Sequence, residues 1–504
     1  MKRITIPLAA LCGVTLLLVA SASAQDKQPN QIIQSTSRVV APSETGKASD
    51  ATADHTAATA SQPVSEVEEL KRRVEELESQ NRALAQTLAD INAKLGAMSR
   101  AETASAAPAT AATPTSASAR SSAPSKQDDK DPYVRWSEIL GEGNRIKLYG
   151  FLRLDIDLDS QRPNNTQILG FVTSPDARAG GTTNGDFSMH PRLTRFGVDF
   201  TGPSIARLGA ARLTGKLEAD FENGGTESRQ IIRIRHAYLR LGWKNFSLLG
   251  GQTSDVVSPL IPTVNNDFAM WNAGNVGDRR PQLRATYEPK VGRGKLSLAG
   301  AVGLTGAIDA LDLDNNGFRD GEESGLPDFQ GRVGYSYTLG KGREASFGVS
   351  GFYGFLKTSR AVAGRTQFRS QLVNLDFTLP LQRRLTLRGE GWWGRNMSDV
   401  RGGAGQGINA ATGREIRGRG GWGEASFRVS RYLSVSPGFT TDDPFDRDLP
   451  AGGRTRNQAF YVGNRITPSA NLLFGADYLR WRTDYKGFLR GDDNRVNIFL
   501  QYSF

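Results

Sequence analysis

From Leu148 to Leu158 the chain alternates without a break. Leu148, Gly150, Leu152, Leu154, Ile156 and Leu158 share one face, and Tyr149, Phe151, Arg153, Asp155 and Asp157 share the other. Period two is the signature of a β-strand. A charged alternate face of this length belongs against water, and its apolar partner belongs against lipid.

The same reading recurs along the chain. It gives strands near 146-158, 192-202, 209-221, 231-242, 245-254, 281-288, 295-304, 328-339, 345-356, 369-380, 383-394, 419-430, 432-440, 457-466, 470-482 and 493-504, sixteen in all. The connections alternate in length: 159-191, 255-280, 305-327, 395-418 and 441-456 are long and 222-230 is intermediate, whereas 203-208, 243-244, 289-294 and 340-344 are short. Short turns at one end and long loops at the other mark a transmembrane barrel, and an even strand count leaves both termini on the short-turn side. A soluble β-helix or sandwich would need polar outward faces. Here Phe347, Val349, Tyr353 and Phe355 share a face, as do Val333, Tyr335, Tyr337 and Leu339. The expected fold class is therefore all-β, an antiparallel transmembrane β-barrel of about 16 strands over residues 133-504, and the aromatic end of its last strand, Phe504, resembles the signal read by barrel-assembly machinery. A mean hydropathy of -0.42 suits a barrel, since only alternate residues meet lipid.

Upstream of the barrel the composition changes. Lys2 and Arg3, an apolar stretch from Leu8 to Val19, and Ala22-Ser23-Ala24 make residues 1-24 a signal peptide. That stretch is too short to span a membrane as a helix. Residues 25-63 are too poor in large apolar side chains to fold. Over 64-98, Val67, Val74, Asn81, Leu88 and Leu95 at position a, with Leu70, Leu77, Leu84 and Ile91 at d, read as a coiled coil or as an amphipathic helix lying on the barrel. Residues 99-132 are a low-complexity linker rich in Ala, Ser, Thr and Pro.

The lone cysteine, Cys12, falls in the signal, and His55, His190 and His236 are far apart. Neither a cysteine-based metal site nor a histidine catalytic pair is expected. With no nucleophile elbow present, no enzyme is expected, no cofactor is required, and no nucleic acid is anticipated as a partner.

Charge is uneven. Residues 1-132 hold 14 Lys and Arg against 15 Asp and Glu, which leaves 49 against 37, or +12, for the rest. Arg153, Arg212, Lys216, Arg284, Arg332, Arg388, Arg428 and Arg465 fall on polar strand faces, with Asp155 among the neighbouring acids, so these are the candidate pore-lining residues. A low-dielectric wall bearing mainly one sign of charge concentrates the opposite sign. Small anionic solutes are the expected passengers, although the same bases also suit the phosphates of lipopolysaccharide, an expected partner along with outer-membrane lipid. The long connection 255-280 holds Pro259, Phe268 and Trp271 and is costly to leave in water. It is expected to fold inward as a constriction, or to contact another subunit.

Asp312, Asp314, Asn316, Asp320 and Glu323, with Gly317 at the sixth position, match the spacing of a twelve-residue calcium loop. A Ca2+ ion in an outer loop is thus an expectation, with no flanking amphipathic helix.

Leu148 to Asp155, His190 to Pro203, Arg233 to Leu241, Leu248 to Thr253 and Arg279 to Pro289 together resemble the DcaP-like family of outer-membrane porins. This resemblance implies a homo-trimer in the outer membrane of a Gram-negative-type cell, a periplasmic N-terminal part, and passive diffusion of small hydrophilic, dicarboxylate-like anions. Ser254 stands where the family often places tryptophan. Valine at a with leucine at d would by itself favour two strands over three. A structural anchor, with the barrel plugged and the coiled coil reaching toward the cell wall, is the alternative function.

Overall fold

The computed structural model describes residues 144-165, 169-177, 184-226, 228-264, 268-340 and 342-504. The expected signal peptide, coiled coil and linker lie outside the described residues.

Sixteen strands form the wall. In chain order they are β1 Arg145–Asp159, β2 Arg195–Ile205, β3 Ala211–Asp220, β4 Arg233–Gly242, β5 Phe246–Ser254, β6 Arg279–Tyr287, β7 Gly294–Gly303 and β8 Asp328–Thr338. They continue as β9 Glu344–Val362, β10 Arg365–Leu379, β11 Leu385–Arg395, β12 Arg417–Arg428, β13 Leu433–Pro444, β14 Arg454–Ile466, β15 Leu472–Tyr485 and β16 Gly491–Ser503. Each pairs antiparallel with its sequence neighbours, and β1 pairs with β16 from Phe151↔Ser503 to Asp159↔Arg495, which closes the sheet. Phe504 and Gly150 exchange both backbone hydrogen bonds, so the last residue belongs to that closing pair.

Outward side chains are apolar and exposed: Leu148, Leu152, Leu154 and Leu158 on β1, and Ile498, Leu500, Tyr502 and Phe504 at the chain end. Inward side chains are polar and buried, among them Asp155 and Asp157 on β1 and Asp493, Arg495 and Asn497 on β16. Closure leaves the barrel without a free edge.

The irregularities have local causes. β2 is continued by the short strand Asp186–His190, and a bulge separates the two: Phe151 faces Arg195 while Asp155 faces His190. Pro191 stands in that bulge, where its missing N–H breaks no ladder. β9 and β10 rise into a tall hairpin across most of the segment between the two expected strands. Its tip is Ala363-Gly364, both at positive φ (47° and 78°), the two-residue turn whose twist suits a hairpin. β13 runs to Pro444, so the connection expected over 441-456 shortens to 445-453. Asp442↔Asn457 extends the ladder past the expected strand end, where Thr440, Thr441, Asp442 and Asp443 are polar at every position and offer no apolar alternation to read.

Candidate functional site

The connection Asp255 to Asp278, between β5 and β6, is the inner loop, and its partners lie on the inner faces of distant strands. Ser350 Oγ on β9 and Asn374 Nδ2 on β10 donate to the Val257 carbonyl, at 2.5 and 2.8 Å. On β11, Glu390 accepts from Ser258 Oγ at 2.6 Å and from Leu260 N–H at 2.9 Å. On β12, Glu424 accepts from Thr263 N–H at 2.8 Å and from Thr263 Oγ1 at 2.5 Å. Trp392 Nε1 donates to the Gly274 carbonyl at 2.7 Å, and Asn457 Nδ2 on β14 donates to the Asn272 carbonyl at 2.6 Å.

Apolar packing holds the far part of the loop. Val264, Phe268, Met270, Trp271 and Ala273 bury against Tyr461, Leu479 and Trp481 of β14 and β15, with Leu169 and Val172 from the connection after β1. Burying each of the large side chains contributes about 1.5–3 kcal/mol. Phe268 and Trp271 meet edge to face at 5.2 Å, and Arg401 lies over both rings. These two residues therefore anchor the loop, whereas Pro259 and Ile261 are exposed.

The loop is tied at its root by one cation. Arg280, fully buried, donates to Asp255 at 2.7 Å, Asp328 at 3.1 Å and Asp399 at 2.9 Å. Its planar guanidinium carries five donors, and three carboxylates from three chain segments share them. Asp255 N–H also donates to the Asp278 carbonyl at 2.8 Å, which closes the base of the loop.

Between the inner loop and the wall of β1, β2, β4, β6, β14, β15 and β16 lies a cavity of about 340 Å³. Arg153, Arg195, Arg233, Arg235, Arg279 and Arg465 line it, facing Ile261 to Val264, and among the described residues no acidic side chain is part of its lining. The carboxylates stand behind the arginines. Arg153 is held by Asp155 at 2.9 Å, Arg233 by Asp220 at 2.9 Å, Arg235 by Glu218 and Asp220 at 2.7 Å each, and Arg465 by Asp477 at 3.1 Å. Those carboxylates are almost wholly buried, so the guanidinium groups are what the cavity meets. Arg195 pairs with Glu218 at 3.5 Å and Arg279 with Asp278 at 3.3 Å, and the buried Nε of each has no hydrogen-bond partner among the described residues. Arginines anchored by buried carboxylates bind an incoming carboxylate or phosphate well.

The residues singled out from sequence divide into three groups. Arg153 and Arg465 line this cavity. Arg388 clamps the inner loop: its Nε donates to Glu424 at 2.7 Å and its head group donates to the Ile261 carbonyl. The others lie elsewhere. Lys216 pairs with Asp199 at 2.8 Å, Arg284 bonds Gln282 at 2.8 Å, and Arg332 reaches Asp376 at 2.7 Å through space that Gly348 leaves open. Arg212 is exposed near a turn, and Arg428 lines a separate cavity of about 650 Å³ at the turn end with Arg383, Arg384 and Arg431. Arg195, Arg233, Arg235 and Arg279 were not singled out. Their signal was the phase of alternation: Phe196 and Ile234 are outward and exposed, which turns Arg195, Arg233 and Arg235 inward.

In the connection after β7, a ligating atom from each of Asp312, Asp314 and Asp320 falls within 4.8 Å of the others. Burial, reinforced by Asp312, Asp314 and Glu323, pushes the Asp320 carboxyl up to about 7. A single helical turn, Asp320–Glu323, closes the segment where no helix was expected.

No family model matches the chain, and no curated protein matches it. Among solved structures it is similar to the outer membrane channel DcaP of Acinetobacter baumannii, with a TM-score of 0.59 and 20% identity over 72% of this chain and 98% of that one. It is also similar to an anion-selective porin from Comamonas acidovorans (TM-score 0.46, 13% identity, 72% and 100% covered) and to OmpF of Salmonella typhi (0.46, 14%, 72% and 98%). The DcaP-like resemblance read from the sequence is thus met in the structure, and this chain has the fold of the outer membrane channel DcaP.

Proposed function

We propose that the protein is an outer-membrane porin through which small anionic solutes diffuse passively. One observation carries this reading: among the described residues, the cavity between inner loop and wall is lined by six arginines and no carboxylate. An anion entering it leaves bulk water for a zone where several guanidinium donors replace its hydration, and a cation meets only their charge. Dicarboxylates suit the site best among small anions, because arginines from different strands offer two separated forks. In this reading Pro259 and Ile261 are the constricting edge of the inner loop, and its buried aromatic anchors fix the width.

The apolar belt would sit in outer-membrane lipid, with basic outer residues against lipopolysaccharide phosphates. Three such barrels would assemble side by side, with the N-terminal segment in the periplasm.

Reversal potentials across a planar bilayer in a KCl gradient test the proposal. Chloride-dominated permeability with block by added succinate is expected, and a cation preference overturns it. Absence of liposome swelling by small neutral sugars would instead favour the plugged-anchor alternative.

A further inference from the structure

The outer connection after β7 carries chemistry that solute passage does not use. Asp312 Oδ1 and Oδ2 accept the N–H groups of Asn316 (3.1 Å) and Gly317 (2.9 Å), which curls the segment around its own carboxylates. Asp320 is fully buried. Its Oδ2 accepts Leu313 N–H at 3.1 Å, and its Oδ1 has no partner. Asp314 repeats the pattern, since Oδ2 accepts Arg360 N–H at 2.7 Å while Oδ1 is buried and unpartnered. Two buried carboxylate oxygens without donors, among like charges, are a costly arrangement unless a cation joins them.

We propose that Asp312, Asp314, Asn316, Asp320 and Glu323 bind one calcium ion, which fastens this outer connection to the tall β9–β10 hairpin. Oxygens on opposite sides of a calcium ion stand about 5 Å apart, given Ca–O distances of about 2.3–2.6 Å, and the three aspartates lie within 4.8 Å of one another. Asn316 Nδ2 donates to both Glu323 oxygens, at 3.1 and 3.0 Å, so an N–H group now holds them as a cation would. Displacing that amide from Glu323 frees the bidentate carboxylate of position twelve, and Asn316 Oδ1, which accepts Phe318 N–H at 2.8 Å, keeps a lone pair for an ion at position five. The donors are all oxygens, which favours a hard cation over zinc, and an irregular loop suits calcium better than octahedral magnesium. Ser359 Oγ donates to Glu323 at 2.6 Å, and Arg360 donates to the Asp314 carbonyl at 2.6 Å, so the ligands are already joined to β9.

The full chain, refolded in detergent without lipopolysaccharide and stripped with EGTA, is titrated with CaCl2 by calorimetry. One site per chain is expected, absent from Asp312→Asn/Glu323→Gln protein whose heat-modifiable migration shows a folded barrel. As a second reading on the parent protein, calcium at ten times its Kd should slow trypsin cleavage after the exposed Arg319 about tenfold. No heat from the parent, equal heat from the variant, unchanged cleavage at Arg319, or equal affinity for MgCl2 would each overturn the proposal.

Discussion

Glu424 on β12 holds Thr263 of the inner loop twice, accepting its N–H at 2.8 Å and its Oγ1 at 2.5 Å. The same carboxylate takes Arg388 Nε and the Tyr461 hydroxyl, so it joins loop, wall and a clamping cation. Glu424→Ala removes both acceptor oxygens, and with them four hydrogen bonds, and leaves Arg388 without its counter-ion. Breaking one side of such a pair costs about 3–5 kcal/mol. Single-channel recordings should then show a larger and noisier conductance, and an unchanged conductance would mean that the loop does not constrict.

Arg233→Gln together with Arg235→Gln tests the charge of the cavity. At an effective dielectric near 20, a unit charge about 8 Å from a permeating anion is worth about 2 kcal/mol. The anion-to-cation permeability ratio should fall by about tenfold or more, most strongly at low salt. Arg428→Gln, at the separate turn-end cavity, should change the ratio little. Equal effects from both substitutions would assign selectivity to net charge and not to this cavity.

Arg280→Met leaves Asp255, Asp328 and Asp399 facing one another with no cation between them. A buried carboxylate without its partner costs several kcal/mol, and here there are three. The base of the inner loop should open, and trypsin should cut after Arg279 while the barrel persists in mild detergent. If the heat-modifiability midpoint and the cleavage pattern both match the parent, the root is held by something other than Arg280.

How far the sequence carried these inferences depended on the kind of information each needs. Alternation and loop length are local, so all sixteen strands emerged with edges off by a few residues. Convergence of side chains is not local. Arg195, Arg233 and Arg279 meet through strand register, and that register slips between Thr201 and Ser204 and again at Glu218 and Ala219. No periodicity encodes those slips. Arg332 shows the converse, since its polar-face position was legible but its capture by Asp376 depends on the bare backbone of Gly348. Arg280 was hidden because Arg279-Arg280 falls where strand and loop meet.

Acid should tighten the contact between the connection after β7, which carries Asp309, and the connection after β11, which carries Ser398 and Asp399. Burial and the neighbouring Asp399 push the Asp309 carboxyl up to about 6, only partly offset by the Ser398 hydroxyl, by Leu311 N–H and by Arg280 beyond Asp399. The folded protein thus binds a proton that the unfolded chain, with a carboxyl near about 4, has already lost. Local stability therefore falls as pH rises from about 4 through about 6 and levels off above. Hydrogen exchange of the Gly306 and Ile308 amides, which donate to Asp399, should show lower protection at pH 7 than at pH 5 after correction for intrinsic rates. Asp309→Asn should abolish that difference, and a persisting one would place the titration elsewhere.

Phe499 breaks the polar pattern of the inner face of β16, and the structure gives the reason. Its ring lies across Gly475 on β15, with the Arg153 guanidinium 3.6 Å above the ring centre and that of Arg465 at 4.9 Å. A Cβ on Gly475 would stand 1.8 Å from the ring edge, so Gly475→Ala must expel the ring. Each cation–π contact is worth about 0.5–2 kcal/mol. The alanine variant should therefore lose stability and also anion selectivity, because Arg153 and Arg465 both line the cavity and lose their seat together. Adding Phe499→Leu to Gly475→Ala relieves the clash without restoring the cation–π contacts, so stability should recover while selectivity stays reduced. Recovery of both together would show that Phe499 only fills space, and recovery of neither would show that Gly475 is needed for the strand itself.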